Sequence, residues 1–405
     1  MQTGILDRRA NRGEPISTLT LLGLVALVGG AGCAHGAAVT TTAEPPAAGD
    51  AAPATAAPAT AAPATPAPAT PAEGHLVPGK EVPTVDAGER IVVRERHSGL
   101  GGLVEIVVAT EREAEARAAI AEAIAEIGRI ETLTSDQAAG SEVAKINAAA
   151  GQPEPVAISP ELLTILWTAR EVSELSGGAF DVTWAALRGL WSFDADPPVV
   201  PGDEEITQRV QRIGYQHLIL TREPATARLA IPGAAIGLGG IAKGYAVDRA
   251  AKILKTKGFL DFIVYAGGDL YTSGQKAPDR PWTVGVQHPR VPGALISVFP
   301  APGGSIVTSG DYEQYFVKDG VRYHHIIDTK TGRPATGSMA VTVLSADPVL
   351  ADALCTALFV LGPERGLELA RKAPGVEAIL IDPQGQPHLT DGLRDKIRVE
   401  PVALP

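Results

Sequence analysis

Cysteine is scarce in this sequence, which has only Cys33 and Cys355 among its 405 residues. At most one disulfide is therefore possible, and a disulfide-rich secreted scaffold is excluded. Basic residues are also outnumbered, because 35 lysines and arginines stand against 46 acidic residues and leave a net charge of -11. Broad binding of nucleic acid needs a basic surface, so no nucleic-acid partner is expected. The composition also excludes collagen and a coiled coil. Hydrophobic residues make up 45% of the sequence, which is enough to support a sizeable core.

The first 32 residues have the organisation of a signal peptide for export. Three arginines precede a short apolar run at residues 19–28, and three small residues lead into Cys33. The small residues resemble a bacterial lipobox, although Gly30 stands where that pattern usually has leucine. We therefore expect Cys33 to be lipidated and to anchor the chain on the periplasmic side of the inner membrane. The alternative is an ordinary secretory signal with an incidental Cys33, and the Sec and twin-arginine routes both stay open.

Residues 33–80 are predicted to carry the lipidated cysteine and a disordered linker. Between positions 37 and 72, all but four residues are alanine, proline or threonine. Such a segment cannot bury enough apolar area to offset the entropy of ordering, and proline removes backbone donors. The linker would hold the body, residues 81–405, away from the membrane. The same composition also fits a neutral low-complexity insertion.

The body alternates predicted strands and helices, which indicates an α/β (α+β mixed) fold with mixed sheets and packed helices. A β-branched strand at residues 102–110 precedes an alanine-rich helix at 113–133, whose isoleucines recur on one stripe. Ser159 and Pro160 are typical of a helix start, and Gly177 and Gly178 of a helix end. Further strands are predicted at residues 217–221, 262–265, 282–287, 296–299, 341–344 and 378–381, and further helices at 203–213, 242–257, 350–361 and 364–372.

Two glycine-containing segments stand out in the body. The first, IGLGGIAKGYAVD at residues 236–248, runs into a predicted helix. Clustered glycines allow close backbone approach, and the N–H groups of a helix start together with Lys243 suit a phosphate group. The segment matches neither a Walker loop nor a clean dinucleotide fingerprint, so alone it fits a simple turn equally well. The second, YAGGDLY at 265–271, is a strand ending in a tight turn, which is more often structural than catalytic.

Two later segments add titratable groups and oxygen donors. SIVTSGDY at residues 305–312 is followed by YHHIIDTKTGRP at 323–334, in which His324 and His325 would point to opposite faces of a strand. In LADALCTAL at 350–358, Asp352 and Thr356 are four residues apart and share one helix face. Their oxygens suit a hard cation such as Mg²⁺, although a surface aspartate and a back-bonded threonine are the plainer explanation. Cys355 is expected to be a buried, unreactive thiol.

Together these segments resemble the ApbE family of FAD:protein FMN transferases. The resemblance spans residues 96–383 and rests on GGIAKGYAVD, GGD, SIVTSGDY, HHIIDTKTGRP and ADALCTALFVLG, preceded by SGGAFDVT at 176–183 and LWSF at 190–193. It implies an ApbE-like, T-fold-related body. It also implies that FMN is transferred from FAD, with Mg²⁺ as cofactor, to a threonine hydroxyl of an exported acceptor protein, while AMP is released. Such acceptors are subunits of electron-transfer or ion-pumping complexes.

The resemblance also implies residue roles. Asp352 and Thr356 match Mg²⁺ ligands, and Gly240 stands where the loop adds a ligand, here a backbone carbonyl. Lys243 matches the position facing the FAD phosphates, and His325 is expected to assist proton transfer or phosphate stabilisation. Catalysis would thus rest on His325, Lys243 and Asp352. Contacts with FAD are expected from Ala179, Phe180, Asp181, Lys243 and Ile306.

Two departures from the family pattern concern the flavin rather than the metal. Gly237 stands where the family usually has an aspartate, and Leu100-Gly101-Gly102 replaces Met-Gly-Thr. Two other functions therefore remain open. One is a pyrophosphatase that splits FAD into FMN and AMP with water, and the other is a non-catalytic FAD-binding lipoprotein. The presence of Lys243, His325, Asp352 and Thr356 favours an enzyme.

Overall fold

The computed structural model describes residues 90–403 except positions 196 and 302. The predicted signal peptide at 1–32 and the predicted lipidated Cys33 with its linker at 33–80 lie outside the described residues. Within the described range, none of the helices is both long enough and apolar enough to cross a membrane.

The chain forms short strands interleaved with helices. The strands are β1 (Ile91–Gly99), β2 (Gly102–Thr110), β3 (Val156–Ala157), β4 (Leu218–Thr221), β5 (Thr226–Leu229), β6 (Phe262–Ala266), β7 (Asp269–Ser273), β8 (Gln275–Ala277), β9 (Arg280–Pro281), β10 (Thr283–Gln287), β11 (Leu295–Pro300), β12 (Gly304–Gly310), β13 (Tyr315–Lys318), β14 (Val321–His324), β15 (Ile327–Asp328), β16 (Arg333–Pro334), β17 (Ala340–Ser345), β18 (Val376–Ile381) and β19 (Pro387–Leu389). The helices are α1 (Glu113–Thr134), α2 (Glu142–Ala148), α3 (Pro160–Leu175), α4 (Asp203–Val210), α5 (Ala242–Thr256), α6 (Pro348–Lys372) and α7 (Asp391–Arg394), with 3₁₀ helices at Val182–Leu187 and Tyr215–His217.

A central sheet of eight strands organises the body, in the order β1-β2-β6-β7-β12-β17-β18-β19. Neighbouring strands in this sheet are antiparallel, and so are the pairs in the small two- and three-stranded sheets. The predicted α/β (α+β mixed) class is confirmed. The expectation of mixed sheets is corrected in one respect, because the described pairings all run antiparallel and tight turns join many sequential neighbours.

Helices α1, α5 and α6 cover one face of the central sheet. Strand β2 shows how the sequence produces this arrangement, because successive side chains of a strand point to opposite faces. Val104, Ile106 and Val108 pack with isoleucines of α1 and with α5. The next stretch of the same face, from β12 to β18, packs against α6 through residues such as Val307 and Val343.

The opposite face of the sheet is covered mainly by strands and loops, together with the short helix α7 through Leu393. Val107 of β2 and Ile306 of β12 pack there with Trp282 and Phe299 from the β10–β11 region and with Val402 near the C-terminus. Strand β12 was not predicted, because its sequence GSIVTSG has only Ile306 and Val307 as an apolar run among serine, threonine and glycine.

The predicted boundaries of helices and strands agree best with the structure where the segment is long and periodic. The strand at 102–110 is confirmed, and the helix predicted at 113–133 ends one residue later. Ser159 caps α3 as expected, since its side chain accepts a hydrogen bond from Leu162 N. The two helices predicted at 350–361 and 364–372 form α6, which is interrupted at Gly362 by a φ of 73°. Strand β1 and helix α2 were not predicted.

Candidate active site

The glycine-rich segment leads into α5 and carries Lys243 on its first turn. Lys243 Nζ donates to Gly239 O at 3.0 Å and to Asp352 Oδ1 at 3.1 Å. The lysine is mostly buried, so its ammonium is separated from bulk water and depends on these partners. Burial alone would lower the pKa of Lys243, but the carboxylates of Asp269 and Asp352 raise it above its ordinary value. The ammonium is therefore charged at neutral pH.

Helix α6 supplies Asp352, which is 2% exposed. Its second oxygen, Oδ2, accepts a hydrogen bond from Gly244 N of α5 at 3.0 Å. This contact requires glycine, because a Cβ at position 244 would lie 2.3 Å from Pro348 O and 2.8 Å from Asp352 Cβ. The absent side chain lets α5 and α6 approach closely enough for a backbone N–H to reach the carboxylate.

Asp269 is a site residue to which the sequence interpretation assigned no role. It follows the Gly267-Gly268 turn between β6 and β7, whose φ angles of 51° and 100° favour glycine. Asp269 is 1% exposed, and neither carboxylate oxygen has a hydrogen-bond partner among the residues that the structure describes. Lys243 Nζ lies 3.6 Å from Oδ1, beyond hydrogen-bond distance. The available signal was an aspartate directly after a buried strand and a glycine pair.

The electrostatics of Asp269 follow from its burial. Desolvation raises its pKa well above the ordinary value, and the negative charge of nearby Asp352 raises it further, while Lys243 acts in the opposite direction. Two carboxylates thus share one ammonium in a region with little water. When both are ionised, the group carries one uncompensated negative charge, which a cation would stabilise.

The donor set around Asp352 fits Mg²⁺. The unpartnered oxygens of Asp269 lie in the same group as Asp352, and Thr356 is one helical turn further along α6. Gly240 adjoins the hydroxyl, since a Cβ built there would lie 3.2 Å from Thr356 Oγ1. Within residues 90–403, no set of three or more His, Cys, Asp or Glu side chains is arranged to hold a metal ion. Mg²⁺ accepts such a sparse protein site, because it keeps waters and substrate phosphates as ligands.

The two adjacent histidines have different environments. His324 ends β14 and is buried, with Nε2 donating to Ala335 O at 2.9 Å and Nδ1 accepting from Ile326 N at 3.3 Å. His325 follows the strand, and its side chain is accessible to solvent. The protein packed around it nevertheless lowers its pKa to about 4. Desolvation by the surrounding protein is the largest cause of this shift, and the positive charge of Lys243 adds to it. His325 is therefore neutral at neutral pH and lies within electrostatic reach of Lys243.

The predicted flavin-contacting stretch lies beside the loop. A Cβ at Gly240 would meet the Phe180 ring at 3.2 Å, which places Phe180 next to the proposed metal ligands. Ala179 precedes it and is buried. The segment after the histidines is hydrogen-bonded to the residue just before Ala179, because Thr329 Oγ1 donates to Gly178 O at 2.6 Å.

Two other predicted FAD contacts have side chains engaged within the protein. The Asp181 carboxylate accepts from Thr183 N at 2.8 Å and from Tyr215 N at 2.7 Å. Burial raises the pKa of Asp181, which these hydrogen bonds oppose. Ile306 packs on the sheet face opposite α5 and α6. Ile306 is 3% exposed, and its strand is paired with β7 on one side and β17 on the other.

The two departures from the family pattern have local explanations. A Cβ at Gly237 would lie 3.2 Å from the Trp184 ring and 3.1 Å from Ala185 Cβ. Trp184 Nε1 also donates to Gly237 O at 3.1 Å, so the indole lies against this position and would have to shift by a few tenths of an ångström to admit a side chain. Leu100 and Gly101 form the β1–β2 turn with φ angles of 52° and 75°. Leu100 O lies 3.8 Å from a Cβ built on Gly267, beside the turn that precedes Asp269.

Comparison with known proteins supports one family. A sequence model of the ApbE family matches residues 100–380. The chain is 34% identical over 334 residues to the FAD:protein FMN transferase of Treponema pallidum, covering 77% of this chain and 91% of that relative. The solved ApbE protein from Thermotoga maritima aligns with a TM-score of 0.69 at 34% identity, over 76% of this chain and 99% of that one. The flavin transferase ApbE from Vibrio cholerae aligns with a TM-score of 0.68 at 30% identity, over 76% and 99%.

Proposed function

The chain belongs to the ApbE family and is a FAD:protein FMN transferase, and we propose that it requires Mg²⁺, modifies a threonine hydroxyl and releases AMP. The observation that carries this proposal is the group formed by Lys243, Asp269 and Asp352. One ammonium and two buried carboxylates from three separate segments meet beside Gly240 and Thr356. Such a group suits the binding of a dinucleotide diphosphate together with a divalent cation.

The proposed reaction is an in-line displacement at the FMN phosphorus of FAD. The threonine oxygen forms a bond to this phosphorus while the bond to the bridging oxygen breaks, and AMP leaves with that oxygen. The hydroxyl proton must pass to a base. Positioning and charge stabilisation carry most of the catalysis in such transfers, because the phosphoryl oxygens hold the developing charge.

Asp352, Thr356 and the Gly240 carbonyl would hold Mg²⁺, with Asp269 as a further carboxylate beside them. Bound there, the cation would neutralise charge on the diphosphate and on its transition state. Lys243 would contribute the second positive charge, and its raised pKa keeps it protonated. The backbone N–H of Gly244 holds Asp352 in place without using the oxygen that faces Lys243.

His325 is the residue that we propose as the proton acceptor. A general base must be unprotonated at the working pH, and a pKa of about 4 leaves its imidazole neutral. His324 is unsuited to this role, because both of its ring nitrogens already have backbone partners. His324 therefore provides a natural comparison for substitutions of His325.

We further propose that the chain is exported and lipid-anchored through Cys33 on the periplasmic side of the inner membrane. The arginines, the apolar run and the small residues before Cys33 support this proposal. The acceptor would then be an exported protein, a subunit of an electron-transfer or ion-pumping complex. The Ala/Pro/Thr linker would let the transferase reach it.

One experiment tests the chemistry. The purified chain is mixed with FAD, MgCl₂ and an acceptor domain that carries a surface threonine, and its Thr→Val variant serves as the control. We expect covalent flavin on the threonine domain only, with one AMP released for each flavin attached. AMP and free FMN without covalent flavin would identify a pyrophosphatase, and unchanged FAD would identify a binding protein. Omission of Mg²⁺ should stop the transfer.

A further inference from the structure

An ion pair joins the turn between β10 and β11 to the loop that follows β12. Arg290 Nη1 donates to Asp311 Oδ1 at 2.6 Å, and Nη2 donates to Oδ2 at 2.7 Å. Two parallel bonds of this kind orient a guanidinium and a carboxylate strictly. The side chains of Arg290 and Asp311 are only 19% and 10% exposed, so water screens their attraction little. The pair therefore fixes Asp311 in one orientation relative to the β10–β11 turn.

The arginine is held in place by its own turn. His288 Nδ1 accepts hydrogen bonds from Arg290 N and from Val291 N, both at 3.0 Å. The turn is closed by His288 N, which donates to Ala294 O at 2.9 Å. Arg290 Nη1 also donates to Pro289 O at 2.9 Å. The guanidinium is thus oriented by local contacts, and little side-chain freedom is lost when it binds the carboxylate.

Asp311 begins a short loop that ends on the backbone of His325. Its N–H donates to Met339 O at 3.0 Å, which ties the start of the loop to the residue before β17. Gln314 lies three positions further along the chain, and its carbonyl oxygen accepts a hydrogen bond from His325 N at 3.0 Å. The loop 311–314 therefore connects the ion pair directly to the residue that we propose as proton acceptor.

The ion pair also lies close to His324, which directly precedes His325. Burial is the main reason that the pKa of His324 is lowered, but Asp311 raises this pKa while Arg322 and Arg290 lower it. Both ring nitrogens of His324 are bonded to the backbone. The backbone of His325 is thus held through the Gln314 carbonyl and through a fixed neighbour, and the ion pair borders both.

We infer that Arg290 and Asp311 are positioning residues for His325, because their ion pair holds the loop whose Gln314 carbonyl binds the His325 backbone. The inference rests on the proposed function, in which His325 accepts the proton of the threonine hydroxyl. A proton acceptor must meet that hydroxyl at hydrogen-bond distance, and a displacement of about 1 Å can cost up to about 10²-fold in rate. The plainer alternative is that the pair only attaches the β10–β11 turn to the body and adds stability.

A pair of matched variants tests this inference in the transfer assay. Arg290→Gln removes the charge and the bidentate geometry, and we expect it to lower kcat by about 10- to 100-fold while the KM for FAD stays within about 2-fold. The control is Arg249→Gln in α5, since Arg249 Nε donates to Glu126 Oε1 at 3.1 Å and that carboxylate is similarly shielded, at 14% exposure. The control should leave kcat within about 2-fold. AMP release is followed with saturating acceptor domain, at a temperature well below the unfolding of each variant.

A double-mutant cycle with His325→Ala separates positioning from stability. If Arg290 acts through His325, Arg290→Gln has nothing left to misplace once the imidazole is gone, so kcat of the double variant should equal that of His325→Ala within about 2-fold. A purely structural pair would lower the melting temperature and leave kcat of Arg290→Gln unchanged, or would lower kcat equally in both backgrounds. If Arg290→Gln fails to fold, Arg290→Lys replaces it, because lysine keeps the charge and loses the bidentate geometry.

The outcomes are distinguishable. An unchanged kcat in the Arg290 variant, or additive losses in the double variant, would overturn the positioning role while the transferase assignment stands. Full kcat in His325→Ala would instead refute the proposed role of His325, and the positioning role with it. Absence of flavin transfer by the unmodified chain would refute the proposed function as a whole.

Discussion

The Asp352 carboxylate holds two partners from α5 at once, Lys243 Nζ and Gly244 N. Its removal therefore has a chemical consequence and a structural one. Alanine would leave a buried N–H and an ammonium without their acceptor, whereas asparagine keeps an oxygen for Gly244 N and loses the charge and the oxygen that accepts from Lys243. The two substitutions separate these consequences at a single position.

We predict that Asp352→Asn folds normally but loses Mg²⁺-dependent turnover by about 10²-fold or more, as expected for loss of a group that stabilises transition-state charge. Turnover is measured as AMP release over a MgCl₂ titration, and folding as thermal unfolding. Asp352→Ala should show the same loss of turnover with a lower melting temperature. Near-normal turnover in both variants would remove Asp352 from the metal site.

Asp269 allows a prediction with a readout that does not depend on turnover. In the unmodified chain, Mg²⁺ should raise the melting temperature, because a ligand that binds only the folded state stabilises it. We predict that Asp269→Asn weakens this stabilisation and reduces Mg²⁺ affinity by about 10- to 100-fold. The matched control is Glu313→Gln, a carboxylate near Tyr265 that is not part of the Lys243 group. Equal Mg²⁺ stabilisation in Asp269→Asn and the unmodified chain would contradict the prediction.

The buried His324 predicts a loss of stability in acid. Burial lowers its pKa below the ordinary value of 6.5, so the unfolded chain binds a proton more readily than the folded one. Above pH 6.5 both states are neutral and His324 has no effect on the free energy of unfolding. As the pH falls from 6.5 toward the lower folded-state pKa, that free energy decreases. Urea unfolding between pH 7 and pH 5 should show a smaller decrease for His324→Gln than for the unmodified chain; an identical slope would exclude His324 as a cause.

At the residue scale, part of the candidate site could be predicted from the sequence. Lys243, Asp352 and Thr356 were found because charged and hydroxyl groups at helical spacing are visible in the sequence. Asp269 was not, because its place beside Lys243 and Asp352 depends on how α5 and α6 pack at the start of β7. Ile306 and Asp181 were selected by motif alone, and only the fold shows that their side chains face the core or cap a 3₁₀ helix.

At the scale of elements, the contact between α5 and α6 depends on one missing side chain. We predict that Gly244→Ala lowers the free energy of unfolding by about 1–3 kcal/mol, because a Cβ there cannot avoid the backbone of Pro348. Gly128→Ala in α1 is the control, since a Cβ at position 128 has nothing within 4 Å. It should stabilise the helix by up to about 1 kcal/mol. Chemical denaturation measures the free energy of unfolding of both variants. Equal effects of the two substitutions would show that α5 and α6 can move apart without a loss of stability.

Element prediction succeeded where one face of an element is apolar and the other polar. Helix α1 has this character, and its boundaries were predicted to within one residue. Strand β1 is mostly exposed, and after Ile91, Val92 and Val93 it continues with arginine, glutamate and histidine, so its apolar run is too short to mark a strand. Its pairing with β2 across the tight turn after Gly99 defines it, and such pairing is a tertiary property.

We propose that the whole molecule consists of an anchoring region, residues 1–80, and a catalytic body, residues 81–405. We predict that a chain of residues 81–405 folds and transfers flavin to the soluble acceptor domain as the longer chain does, because the site residues lie between positions 179 and 356. Thermal unfolding and the transfer assay measure this. A body that unfolds or loses transfer when the first 80 residues are removed would contradict the predicted boundary.

The group of Lys243, Asp269 and Asp352 joins residues that are up to 109 positions apart along the chain. A nascent polypeptide that has not yet completed α6 cannot assemble it, and a proteolytic cut that releases α6 would dismantle it. We therefore expect competence for flavin transfer to arise only after α6 has docked. A fragment that ends before that helix should fail to transfer flavin, whatever else of the sheet it has folded.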